Sequence, residues 1–172
     1  MKTLIAYFSH VGETLADNSI VIIEKGNTEK VAEKIHSLIG GDLYKIIEAE
    51  PYPFKYTDCN IRAKREDENN EHPALLDTIG LDMNQYDTIY LGFPIWYRTY
   101  PRVVASFLDK YDFSGKTIVP FCTNDEEYFG ISLLELQSHV KNATIKEGLV
   151  IRGVEVDNAE EKIKNFVNKN IL

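Results

Sequence analysis

Cysteine is nearly missing from this chain: 172 residues contain only Cys59 and Cys122, far apart and without a C-x-x-C. That excludes a disulfide framework, a redox dithiol and a cysteine zinc site, and it points to a reduced, cytoplasmic compartment. Long apolar runs are absent as well. The N-terminal run Thr3 to Phe8 is far short of the roughly 20 residues of a membrane helix, and no small-residue cleavage site follows it, so no membrane insertion is expected. Positive charge is in deficit, with 19 Lys and Arg against 27 Asp and Glu and a net charge of −8. Nucleic acid is therefore excluded as the main partner, because its phosphates require a basic face. The acidity allows a basic partner protein, and it also serves solubility. Catalytic signatures are missing too. No G-x-G-x-x-G follows the first apolar run, and there is no G-x-x-x-x-G-K-[ST] and no G-x-S-x-G. His10, His36, His72 and His139 are scattered with no metal-ligand spacing, which leaves His36 and His139 as helix-surface residues and no metal expected.

What remains is a soluble composition, 44% hydrophobic and 27% charged, of a length that suits one domain over 1–172. Four short apolar runs stand out: Thr3 to Phe8, Thr88 to Phe93, Thr117 to Phe121 and Leu149 to Val156. Leu43 to Ile47 is a weaker fifth. Continuous rather than alternating apolar character predicts strands buried on both faces, as in a parallel sheet. Helical spacing fills the gaps. Asn27 to Ile39 ends at Gly40-Gly41, Arg102 to Tyr111 follows Pro101, Ser132 to Val140 turns its leucines inward, and Asn158 to Ile171 has Asp157 or Asn158 as an N-cap. Strand alternating with helix to the end of the chain predicts an α/β fold with right-handed crossovers and helices on both sheet faces. Tyr52 to His72, with mixed charges, reads as a solvated helix or a long loop.

Ligands of such a sheet bind at the carboxyl ends of its strands, so the segments after each run carry the information. After the first strand come Ser9 and His10, and Gly26-Asn27-Thr28 opens the next helix. Small and hydroxyl residues there let backbone N–H groups converge on a phosphate at a helix N-terminus, and Asn27 and Thr28 are equally good N-caps. After the second long strand come Pro94, Ile95, Trp96 and Tyr97. Trp96, the only tryptophan, sits in a strand-exit loop, where Trp96 or Tyr97 offers a flat π-surface. After the third come Thr123, Asn124, three acids (Asp125 to Glu127), Tyr128, Phe129 and Gly130.

These segments resemble the flavodoxin-like family. Its phosphate loop reads Ser or Thr, any residue, Thr, Gly, Asn, Thr. Here Ser9 and His10 begin it, Lys25-Gly26-Asn27-Thr28 end it, and Val11 to Glu24 stand between as an insertion, as in one branch of the family. Lys25 replaces the Thr and either lends its charge to the phosphate or points to solvent. The insertion, with Ile20-Val21-Ile22-Ile23, reads as a small hairpin beside the phosphate site. Gly92 to Tyr97 matches the loop that lies against the flavin ring. The resemblance implies a flavodoxin-like three-layer sandwich whose five-stranded parallel sheet has the order 2-1-3-4-5. It further implies FMN as the cofactor, and cofactor contacts from Ser9, His10, Lys25, Gly26, Asn27, Thr28, Pro94, Ile95, Trp96, Tyr97, Thr123, Asn124, Phe129 and Gly130, with Tyr128 or Phe129 stacking on the second ring face. The acids at 125–127 depart from a loop that is often glycine-rich in the family. Three functions stay open: electron transfer to a redox partner protein or a small-molecule acceptor, NAD(P)H-dependent quinone reduction, or a binding module that has lost the flavin.

Overall fold

The computed structural model describes residues 2–76 and 80–171. The main sheet is built from β1 (Thr3–Tyr7), β4 (Asp42–Lys45), β5 (Thr88–Pro94), β6 (Thr117–Asn124) and the short pair β7 (Thr144–Ile145) and β8 (Leu149–Arg152). All pairings in it are parallel, in the order β4-β1-β5-β6, with β7 and β8 both on the far edge of β6. This is the order 2-1-3-4-5, with the fifth strand divided in two. The strand expected to reach Val156 stops at Arg152, where Gly153–Asn158 winds into a 3-10 turn.

Side chains of β1, β5 and β6 alternate between two cores, as the pleat requires. Leu4, Ala6, Ile89, Leu91, Phe93 and Ile118 face α3 (Arg102–Lys110) and α4 (Ser132–His139). Ile5, Tyr7, Tyr90, Val119 and Phe121 face α1 (Asn27–Ile39) and α5 (Glu160–Ile171). Because both faces are covered, the strands need no polar side, which is why they read as unbroken apolar runs. Phe121 lies directly on Gly92, where a Cβ would overlap its ring. On α4 the expected inward leucines divide: Leu136 is fully buried, while Leu134 is exposed because it falls on the outer side of that short helix. The polar stretch after β4 forms α2 (Tyr56–Glu68), held less by apolar burial than by one buried acid, Glu66. Helix α5 begins at Glu160 rather than Asn158, since Asp157 belongs to the 3-10 turn and pairs with Lys30. Among the described residues no helix is long and apolar enough to cross a membrane.

A second sheet lies off the first. Strands β2 (Gly12–Ala16) and β3 (Ser19–Ile23) form an antiparallel hairpin inside the segment between β1 and α1. Asp17 and Asn18 turn it with φ of 47° and 63°, the two positive values that suit a two-residue hairpin turn.

Candidate functional site

The chain leaves β1 through α1 toward β4 on one side, while β5 lies on the other. The strand order therefore reverses between β1 and β5, and the crevice there opens at the carboxyl ends. A cleft occupies this position. It is lined by Ser9, His10, Asn27, Thr28, Pro94, Ile95, Trp96, Tyr97, Thr123 and Asn124, all of which the sequence had pointed to.

At one end the two halves of the split loop close on each other. A Cβ on Gly26 would overlap the Ser9 hydroxyl and come within 2.6 Å of the His10 carbonyl oxygen, so only glycine lets the chain return this close. Gly26 is the N-cap residue of α1 and brings no side chain. The cap comes instead from Ser9, whose Oγ accepts the Glu29 N–H at 3.0 Å from 20 residues away. The Asn27 and Thr28 N–H groups face the cleft end of the helix with no hydrogen bond of their own among the described residues, so the first turn of α1 offers free donors and a positive dipole end. Thr28 Oγ1 lies 2.8 Å from Thr123 Oγ1, a buried contact that ties this turn to β6. Lys25 does not enter the cleft; its ammonium pairs with Glu33 on the outer side of α1.

The wall after β5 is aromatic. Trp96 is half-buried and meets Tyr52 (4.8 Å between centroids), Phe8 (5.5 Å) and His10 (5.6 Å), each edge-on. Tyr52 is itself clamped. Its hydroxyl donates to Glu66 at 2.6 Å, Arg62 donates to the same carboxylate at 2.7 Å, and the Arg62 guanidinium sits 4.1 Å over the Tyr52 ring. Burial and the Glu66 carboxylate push the Tyr52 phenol far above its ordinary range, so it stays a hydrogen-bond donor. Tyr97 occupies a reverse turn closed by reciprocal Trp96–Thr99 backbone bonds, with φ at +60°. The residue is 42% exposed and its hydroxyl donates to the Asn60 carbonyl at 2.9 Å. Trp96 is thus the fixed element of this wall and Tyr97 the outer one.

After β6 the sequence expectation divides. Asn124 Nδ2 donates to the Tyr128 carbonyl at 2.6 Å, which leaves its buried Oδ1 without a partner. Phe129 and Gly130, expected at the cofactor, turn away. Phe129 packs on Phe93 (6.4 Å) and over Gly148, and Gly130, with φ at +58°, lies against the Arg98 backbone. Neither they nor Tyr128 line the cleft. Residues outside the expected cofactor set also line it: Glu13, Thr14, Leu15 and Ile23 from the hairpin, Tyr56, Cys59, Asn60 and Ala63 from α2, and Asp125 and Gly153. Cys59 is a bystander to chemistry, since burial pushes its thiol up to about 12.

Two buried polar atoms in this neighbourhood have no partner: His10 Nε2 and Asn124 Oδ1. Burial also holds the His10 imidazole below its usual range, which favours the neutral ring. Unsatisfied buried groups cost stability unless something else satisfies them, and both belong to residues lining a cleft of ligand-site type. Two of the three remaining histidines do meet, though elsewhere. His72 and His139 each contact one oxygen of Asp109 at 2.5 Å, away from the cleft.

A family model described as flavodoxin matches residues 2–170. The chain belongs to the flavodoxin family. Among solved structures, a protein of Bacteroides uniformis ATCC 8492 provisionally named a flavoprotein is 29% identical, with 97% of each chain covered and a TM-score of 0.76. A similarly named protein of Bacteroides eggerthii DSM 20697 is 28% identical over 94% of this chain and 97% of that one, with a TM-score of 0.71. A flavoprotein of Lactobacillus acidophilus NCFM, solved in complex with FMN, shares the fold at 23% identity over 91% of this chain and 97% of its own, with a TM-score of 0.69. No curated protein matches. Seen as a flavodoxin-family chain, the molecule carries its hairpin between β1 and α1, and Ser9 and Gly26 close the interruption.

Proposed function

We propose that this flavodoxin-family protein holds FMN in the cleft between β1 and β5 and serves in electron transfer. The observation that carries the reading is the first turn of α1. Its free Asn27 and Thr28 N–H groups, brought against Ser9 by Gly26, form an anion seat at one end of a cleft whose far wall is Trp96. Ser9, Asn27 and Thr28 would hold the phosphate, Trp96 and Tyr97 would cover one face of the ring, and Thr123 and Asn124 would meet its polar edge. Bound FMN would supply the one- and two-electron chemistry that no side chain here offers. The orphaned His10 Nε2 and Asn124 Oδ1 are the polar atoms such a ligand would satisfy.

The acceptor is a redox partner protein or a small molecule, and two free, buried cysteines suit the cytoplasm. The acids after β6 would keep the potential low, since fixed negative charge opposes an added electron. Of these acids only Asp125 lines the cleft, and Glu127 pairs with Lys162 at 3.6 Å.

The test is reconstitution. Protein purified and incubated with FMN should hold it in 1:1 ratio through gel filtration, with flavin absorbance. Spectroelectrochemical titration of Asp125→Asn/Glu126→Gln/Glu127→Gln should give a higher midpoint than the parent. Absence of retained flavin defeats the binding reading. Rapid bleaching by NADH or NADPH alone defeats the carrier reading in favour of a quinone reductase.

A further inference from the structure

The hairpin is the part of the cleft with the least to hold it down. Its base is fixed: the Glu13 N–H donates to the Phe54 carbonyl at 2.9 Å, and the Glu13 carboxylate accepts the Tyr56 N–H at 2.8 Å. Beyond the base, apolar packing is thin. Ile20, Val21 and Ile22 are exposed, Ile22 by 65%. A two-stranded ribbon is marginal by itself, so contacts at its tip decide where it lies. These are polar, and they converge on Arg152 at the end of β8. Arg152 pairs with the Asp17 carboxylate and donates through Nε to the Asp125 carbonyl at 3.0 Å, while the Asp17 N–H donates to Asp125 Oδ1 at 2.9 Å. Glu155 stands at 3.8 Å from the same guanidinium. The tip is thereby tied across the cleft to the opposite strand ends, with Leu15 and Ile23 forming part of the wall between.

We infer that Arg152 is a positioning residue: it pins the hairpin as a releasable wall of the cleft, through which the cofactor enters and leaves. The inference rests on the FMN reading for the identity of the cargo, not for the latch itself. Exposed ion pairs are individually weak, which suits a tie that must open. Leu15 and Ile23 of the hairpin line the cleft, whereas Tyr128 and Phe129 of the β6 loop do not.

Two measurements test this. In stopped-flow displacement of FMN, Arg152→Ala should release the flavin about tenfold faster than the parent, and Asp17→Asn about threefold faster. Arg152→Lys, which keeps the charge but loses the fork, should fall between parent and Arg152→Ala. Raising NaCl to about 1 M should speed release from the parent more than from Arg152→Ala, because only the parent has the Arg152–Asp17 pair to screen. Independently, hydrogen exchange of segment 12–23 in flavin-free protein should be faster in Arg152→Ala, while β1 and β5 exchange as before. Unchanged release, or release that changes with no change in hairpin exchange, overturns the inference. If the parent takes up no FMN, the cofactor reading fails, and the exchange comparison still decides the latch. If Arg152→Ala fails to fold, Asp17→Asn carries both measurements from an exposed turn.

Discussion

The main sheet and the hairpin strand β3 are made from similar apolar residues and held by different forces. Leu4-Ile5 of β1 and Ile118-Val119 of β6 are entirely buried. Ile20-Val21-Ile22 of β3 is just as apolar and β-branched, yet it faces water. The main sheet is sandwiched between helices and gains roughly 1.5–3 kcal/mol from each large apolar side chain it buries. The hairpin is a ribbon fixed by Glu13 at its base and by Asp17 and Arg152 at its tip. A strand sequence sets local geometry; burial depends on whether another layer arrives. The rigid sheet positions the cleft, and the lightly held ribbon borders it.

The contrast can be broken at graded points. Phe121→Ala removes a wholly buried ring from between Gly92 and the α5 side, and should cost about 3–5 kcal/mol in denaturant unfolding. A loss like that of a surface residue would mean the main sheet is looser than its packing implies. Where the two sheets join, Gly26→Ala drives a Cβ into Ser9 and the His10 carbonyl. It should cost about 1–3 kcal/mol and abolish flavin retention, read by unfolding and gel filtration together. Ser9→Ala loses the remote cap on Glu29, and about 1 kcal/mol of stability is expected to go in the flavin-free protein.

A pH effect at the same junction comes next. Burial lowers the folded-state pKa of His10, so the unfolded chain binds the proton more tightly. Stability is therefore complete above the ordinary histidine pKa of about 6.5 and declines as pH falls toward the depressed folded value. Comparing unfolding of the flavin-free parent with His10→Gln across that range should show a shallower slope in the variant; equal slopes would remove His10 from the account. Least of all, Ile22→Thr on the exposed ribbon should change stability by no more than about 0.5 kcal/mol. A core-sized loss there would show that the ribbon is packed after all.

How much of this was readable beforehand differs by region. β1, β5 and β6 could be read because strands covered on both faces need no polar alternation. The pairing of Ser9-His10 with Gly26-Asn27-Thr28 could be read only through the family motif, since nothing local to either half requires the other. The hairpin was visible as an apolar run in the wrong place, though its seat on Asp125 and Arg152 was not. Helix α2 was ambiguous, because its one stabilising acid, Glu66, is buried by partners at Tyr52 and Arg62 rather than by an apolar stripe. Phe129 and Gly130 looked like cofactor residues from their place after β6, and packing against Phe93 and Arg98 claimed them for the scaffold.

The sequence by itself determined the alternation of strand and helix and the sheet's burial, because periodicity and composition act over a few residues. It also placed the polar turns at the strand ends. Tertiary structure alone decided that Ser9 caps a helix 20 residues away, that the hairpin tip is tied to Asp125 and Arg152 at the cleft, and that Trp96 is clamped through Tyr52 by a buried carboxylate. Each of these depends on atoms remote in the chain meeting within a few ångströms, and no local pattern encodes such a distance.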